Sequence, residues 1–252
     1  MCFESDAIPP DLPLGYRMIA GGAAGETLTL TSADGTRFAG YLARAEGRTG
    51  VVVLPDVRGL FRFYEQLAER FAEAGHSALA IDYFGRTAGV GQRGEDFDHM
   101  PHVQQTRPET VALDVGAAVS HLREETGAAT IVTVGFCFGG AHSFMQGAED
   151  HGLAGVVGFY GSLVRQGQRW TLDRAAEIAV PVLGLFAGDD QNITAAQVAE
   201  FEARLTVPHE IHTYPGAPHS FFDRRQEQYA EASADAWERV LRFINAQAKV
   251  EA

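Results

Sequence analysis

One pattern recurs along the chain and limits its possible folds: a short run of apolar residues, a turn, a stretch with helical spacing, then another apolar run. Val51-Val52-Val53-Leu54 is the clearest of these runs. A strand with no polar alternation is buried on both faces, which requires helices on both sides of a parallel sheet. Residues 77–81, 131–134, 155–160, 180–187 and 210–214 read as further strands. Residues 63–74, 109–125, 138–148, 195–205 and 224–248 read as helices. Residues 26–30 and 37–43 flank Asp34-Gly35, a dipeptide that predicts a hairpin with a tight turn. No repeat, low-complexity tract or linker divides the chain. The expectation is one α/β domain over residues 1–252, with a mostly parallel sheet, helices on both faces and a short N-terminal tail over about 1–20. Residues 85–106 hold Gly85, Gly89, Gly91 and Gly94 and read as an irregular active-site loop or mobile surface loop.

The net charge of −13 repels phosphate backbones and anionic membrane surfaces, so neither nucleic acid nor membrane is expected as a partner. It does not exclude an anionic small molecule, because local arginines override the global field. The two cysteines, Cys2 and Cys137, form neither a disulfide framework nor a metal-type pairing, and their usage fits a reducing cytoplasm. The acidic N-terminus carries no apolar signal segment, and no apolar run reaches the length of a membrane span. The reading is a cytoplasmic protein, monomer or homodimer, acting on a small molecule with no cofactor and no metal. His99 and His102 have no supporting ligand cluster in sequence.

The run Gly135-Phe136-Cys137-Phe138-Gly139-Gly140 follows the strand at 131–134 and opens the helix at 138–148. Strand, G-x-C-x-G and helix together make the nucleophile elbow of an α/β-hydrolase fold, with cysteine in the serine position. A sharp turn of this kind brings backbone close on both sides, so the flanking positions need glycine. The sulfur then lies over a helix N-terminus, where the dipole and free N–H groups, Phe138 first, favour a thiolate and an oxyanion. The plain alternative is that Cys137 is a small buried hydrophobe.

Such an elbow needs an acid and then a histidine, in that order. Gly188-Asp189-Asp190-Gln191-Asn192-Ile193-Thr194 follows the strand at 180–187, and Pro215-Gly216-Ala217-Pro218-His219 follows the strand at 210–214. All three groups therefore fall at the carboxyl edge of the sheet. His219 is the candidate base, and Asp189 and Asp190 compete for the acid.

With GFCFGG, GDDQNIT, YPGAPHSFF and IDYFGR, the chain resembles the dienelactone hydrolase family, the cysteine branch of the α/β-hydrolases, from about residue 51 to about residue 243. The resemblance implies a carboxylic ester or lactone hydrolase of carboxymethylenebutenolidase type. It implies Asp190 as the acid, through the arrangement G-x-D-x-x-[IV], and Val57 as a second backbone oxyanion donor. It places Asp56 where the family has a glutamate that modulates the thiol, with pairing to Arg58 as the alternative. It assigns Arg86 to a substrate carboxylate, the alternative being a cation balancing nearby acids. A second family arginine is replaced by Asp223, which repels a carboxylate. A general carboxylesterase or thioesterase is therefore the first rival reading, and a non-catalytic binding protein on the same fold, or a redox-sensing thiol, the next.

Overall fold

The computed structural model describes residues 7–250 except 14–15, 17–23, 92 and 226. Cys2 and most of the N-terminal tail lie outside the described residues. Eight strands, β1 (Glu26–Thr31), β2 (Arg37–Ala43), β3 (Thr49–Leu54), β4 (Ser77–Ile81), β5 (Thr130–Phe136), β6 (Gly155–Phe159), β7 (Val182–Ala187) and β8 (His209–Tyr214), form one sheet in the order β1-β2-β4-β3-β5-β6-β7-β8. β1–β2 and β2–β4 pair antiparallel, and every other pair is parallel. The mostly parallel α/β architecture expected from the apolar runs is the one found. Val51, Val52, Val53 and Leu54 are wholly buried at its centre. Asp34-Gly35 makes the first turn, with Gly35 N–H donating to Ser32 O at 2.9 Å and φ of 82° at Gly35, a conformation that favours glycine.

The helices are α1 (Arg62–Glu73), α2 (Gly85–Ala88), α3 (Met100–Gln105), α4 (Pro108–Thr126), α5 (Phe138–Gln146), α6 (Thr171–Arg174), α7 (Ala195–Arg204) and α8 (Ala230–Val250). Phe71 of α1 meets Trp237 of α8 edge-on at 4.8 Å, so these two helices share one face of the sheet. On the other face α4 packs on α5, and Phe144 of α5 lies 4.9 Å from Phe201 of α7. The chain leaves β3 toward β4 on one side and returns to β5 on the other. This reversal opens a crevice above the carboxyl ends of the strands, where ligands bind in open α/β sheets.

Two expectations need correction. The closing helix starts at Ala230, not at 224, because residues 219–224 and 227–229 form turns, with Ser220 at φ 62° and Asp223 fully buried. Residues 85–106 are not wholly irregular. They hold α2 and α3, and Pro101 sits in the first turn of α3, where its missing N–H costs nothing. The root of this segment is held by a buried ion pair. Arg93 donates to Asp82 at 2.9 Å, and Asp82 also accepts from the backbone N–H groups of Phe84 (3.1 Å) and Leu60 (3.3 Å).

At the β5–α5 junction a Cβ on Gly139 would stand 2.1 Å from Leu54 O and 2.2 Å from Pro55 O. One on Gly135 would stand 2.0 Å from Gly139 O. Both obstacles are backbone, which cannot swing aside. Gly139→Ala is expected to lower the unfolding free energy by at least about 1–3 kcal/mol in urea titrations. Gly94→Ala, where a Cβ meets nothing within 4 Å, should stay within about 0.5 kcal/mol of the parent.

Candidate active site

Cys137 is the residue between β5 and α5. Its φ of 53° and ψ of −110° lie outside the ordinary regions for a residue with a side chain, and strain of this kind persists only where the surroundings enforce it. Here its N–H donates to Phe159 O across β6 at 3.0 Å, and its carbonyl accepts the N–H of Ala141 in α5 at 3.2 Å. The free thiol is half-buried. Phe138, the next residue, is the first of the helix, so its N–H has no acceptor within the helix.

The turns after β7 and β8 are joined through their backbones: Gly188 N–H donates to Tyr214 O at 2.8 Å and Asp189 N–H to Ala217 O at 3.0 Å. This register turns the Asp190 side chain inward and leaves Asp189 exposed. Asp190 Oδ2 lies 2.6 Å from His219 Nδ1, while Oδ1 accepts the N–H groups of Asn192 (2.9 Å) and Ile193 (3.3 Å). Of the two competing acids, the structure brings Asp190 to the histidine. Burial pushes the Asp190 carboxyl up, but the hydrogen bond and charge of His219, with the two backbone donors, hold it below its ordinary 3.8. Burial also opposes a charged His219. Its hydrogen bonds to Asp190 and to Cys137 outweigh that cost and raise it from 6.5 to about 10. With Nδ1 facing Asp190, Nε2 is the ring nitrogen left for the sulfur.

Asp56 does not serve as a partner for the thiol. Its wholly buried carboxylate accepts from Arg58 Nε at 3.0 and 3.1 Å, from Arg58 N–H at 2.9 Å and from Arg224 at 2.6 Å, so both oxygens are occupied. Burial alone raises its pKa; the two guanidinium groups override this and hold it low, so it stays ionised. The Asp56 carbonyl accepts from Tyr83 OH at 2.8 Å. In a trans peptide this points the N–H of Val57 away from Tyr83.

Arg86 is likewise not placed to receive a substrate carboxylate. All three of its nitrogens donate to acids: NH1 to Asp114 at 2.6 and 2.7 Å, Nε and NH2 to Asp34 at 3.2 and 2.9 Å. Asp114 also accepts from Ser32, so the arginine ties the β1–β2 turn to α4. In this structure Arg86 is paired with nearby acids, as the alternative reading had it.

Sequence spacing gave no sign of the tyrosines behind the site. Tyr160 follows β6 with φ of 36°, and its ring centroid lies 5.0 Å from that of His219. Its hydroxyl donates to Asp223 Oδ1 at 2.8 Å. Tyr64, from α1, donates to Asp223 Oδ2 at 2.9 Å and accepts the N–H of Asp56 at 3.1 Å. Asp223 therefore faces the interior, with each carboxylate oxygen taken up by a tyrosine hydroxyl rather than by solvent. His102 stacks on Phe97 at 5.0 Å, and no cluster of three or more metal-ligating side chains exists among the described residues.

Removing the Arg86 guanidinium leaves Asp114, whose side chain is 1% exposed, beside no cation. Arg86→Ala is expected to cost about 2–3 kcal/mol of stability, the low end for a buried pair because Arg86 is partly exposed. The ratio of KM values for anionic and neutral esters should stay unchanged. A rise confined to anionic esters would restore Arg86 as a substrate ligand.

A family model described as the dienelactone hydrolase family matches residues 38–248. Among curated relatives, a "Putative carboxymethylenebutenolidase" of Saccharolobus solfataricus is 32% identical over 249 residues, covering 84% of this chain and 95% of that protein. One of the same description from Salmonella typhi is 28% identical over 256 residues, covering 94% and 93%. Among solved structures, the "Putative Dienelactone Hydrolase" from Klebsiella pneumoniae subsp. pneumoniae superposes with a TM-score of 0.75 at 26% identity, covering 87% of this chain and 99% of that one. A strand-turn-helix elbow, ordered acid and histidine turns and this family match converge: the chain belongs to the dienelactone hydrolase family of ester and lactone hydrolases.

Proposed function

We propose that this protein hydrolyses an ester or lactone through a thioester acyl-enzyme on Cys137, with His219 as the proton carrier and Asp190 as its orienting acid. The observation that supports this most directly is the position of His219, past the end of β8, bonded to Asp190 at 2.6 Å past the end of β7, with its charge coupled to Cys137 at the end of β5 in the same parallel sheet. His219, raised to about 10, is suited to take up and hold the proton that the Cys137 thiol gives up as the reaction begins.

The thiolate attacks the substrate carbonyl carbon, and the π electron pair moves to oxygen. The backbone N–H groups of Phe138 and Val57 receive this oxyanion, each worth about 3 kcal/mol in the transition state. Collapse breaks the carbon–oxygen bond to the leaving group, and the imidazolium of His219 protonates the departing alkoxide. In a lactone that alcohol stays tethered to the acyl chain. Water then attacks the thioester, with His219 accepting its proton, and the carbon–sulfur bond breaks to give the acid and the thiolate.

The two positions where the resemblance implies arginines toward a substrate carboxylate hold Arg86, committed to Asp34 and Asp114, and the buried Asp223. This favours a neutral ester or lactone, and with it the general carboxylesterase reading, over a carboxylate-bearing lactone.

Cys137→Ala is expected to abolish turnover of p-nitrophenyl acetate and of a lactone panel; full activity in that variant would overturn the mechanism. Brief iodoacetamide treatment at pH 7 followed by mass spectrometry should label Cys137, and His219→Ala should slow that labelling. Labelling confined to Cys2 would make Cys137 an inert core residue.

The histidine also links stability to pH. In the folded state its proton is lost near pH 10, against 6.5 for the ordinary group. Its stabilising contribution is complete below pH 6.5 and fades as pH rises toward 10. The stability gap between the parent and His219→Gln should therefore narrow across that window in denaturant titrations. A gap independent of pH would count against a charged imidazolium.

A further inference from the structure

We infer that Asp223, acting through Tyr160 and Tyr64, is the positioning residue that holds the base and the oxyanion loop in register. The inference rests on the catalytic reading of Cys137 and His219 above. Asp223 is fully buried and lies four residues after His219, in the turns that replace the start of the closing helix. Each of its carboxylate oxygens accepts one tyrosine hydroxyl, at 2.8 Å from Tyr160 and 2.9 Å from Tyr64. Burial, reinforced by the Asp223 charge, raises both tyrosines well above 10, so both remain donors.

The two arms reach different parts of the site. On one arm, the Asp223 N–H donates back to Tyr160 OH at 3.3 Å, closing a two-point clamp on a residue with φ of 36°. The Tyr160 N–H donates to Leu185 O at 2.7 Å, and the peptide joining it to Phe159 carries the carbonyl that holds the Cys137 N–H. Its ring forms a wall 5.0 Å from His219. On the other arm, Tyr64 OH accepts the Asp56 N–H, one peptide before the Val57 donor. A wholly buried carboxylate with one well-made hydrogen bond to each oxygen is rigid, since losing either bond leaves buried polar atoms unsatisfied. One side chain thus fixes the spacing between the loop at 55–58 and the turn at 219–224.

The arms predict separable effects, which a merely structural role would not produce. Alkylation of Cys137 by iodoacetamide uses the thiolate and His219 but no oxyanion donor, whereas ester hydrolysis uses all of them. In Tyr160→Phe, kcat for p-nitrophenyl acetate is expected to fall on the order of 10- to 100-fold with KM within about twofold, and the alkylation rate at pH 7 to fall with it. In Tyr64→Phe, kcat should fall while alkylation stays within about twofold of the parent. Asp223→Asn should show both defects. If that variant fails to fold, the two tyrosine variants, each lacking one oxygen, carry the test alone. If Tyr160→Phe and Tyr64→Phe hydrolyse the ester at the parental kcat, or lose only thermal stability, the clamp is refuted while the catalytic reading stands. If the parent protein itself neither hydrolyses esters nor is alkylated at Cys137, the catalytic reading falls, and the clamp with it.

Discussion

The carboxyl edge of the sheet at the candidate site depends on one hydrogen bond, from the N–H of Cys137 to the carbonyl of Phe159 at 3.0 Å. It joins the ends of β5 and β6 where both chains leave regular geometry, Cys137 with φ of 53° and Tyr160 with φ of 36°. Two neighbouring residues with side chains in the left-handed half of the map cost about 1–3 kcal/mol each. They persist because β5 and β6 are wholly buried, α5 is packed beneath them, and Gly135 and Gly139 let backbone approach where a Cβ would collide. The strain stands at the sulfur because the surrounding sheet leaves the turn no other path.

The fold and the contact between Asp190 and His219 were legible in the sequence for a related reason. Val51 to Leu54 can be satisfied only at the centre of a parallel sheet, and Gly-x-Cys-x-Gly between a strand and a helix has few other uses. The order of the acid and histidine turns followed from strand ends recognisable by their glycines and prolines. Arg86 and Asp56 were read less well because a charged side chain reports its chemistry in sequence, not its partners. Arg86 meets Asp34 and Asp114, 52 and 28 residues away, and Asp56 meets Arg224, 168 residues away. The start of α8 was misread because Arg, Gln and Glu at 224–228 favour helix by their intrinsic propensity, while the bonds that hold the preceding turn come from Tyr64 and Tyr160. Nothing local in sequence encodes a contact made across 159 residues.

The charges beside the site follow a consistent rule. Asp56, Arg58, Asp223 and Arg224 sit together beside the 55–58 loop as two acids and two arginines. A buried pair of this kind adds little stability over well-packed apolar residues, but it fixes geometry, since each member is costly to leave unpaired. The pairing leaves these four charges balanced against one another, within a protein whose net charge is −13.

The Asp82–Arg93 pair divides the segment after β4 into two regimes. Up to Arg93 the chain is bound to the strand end and to Leu60, and a change there reaches the loop that carries Val57. Beyond Arg93, residues 94–102 are exposed or half-buried. Within that span Phe97 and His102 pack on the buried Phe84, and Arg93 lies over the Phe97 ring, so these two rings anchor an otherwise exposed stretch. The buried pair thus separates a stretch fixed by charge to the strand end from one held only by ring packing, so that replacing the polar residues between Gly94 and His102 should leave the sheet edge unmoved.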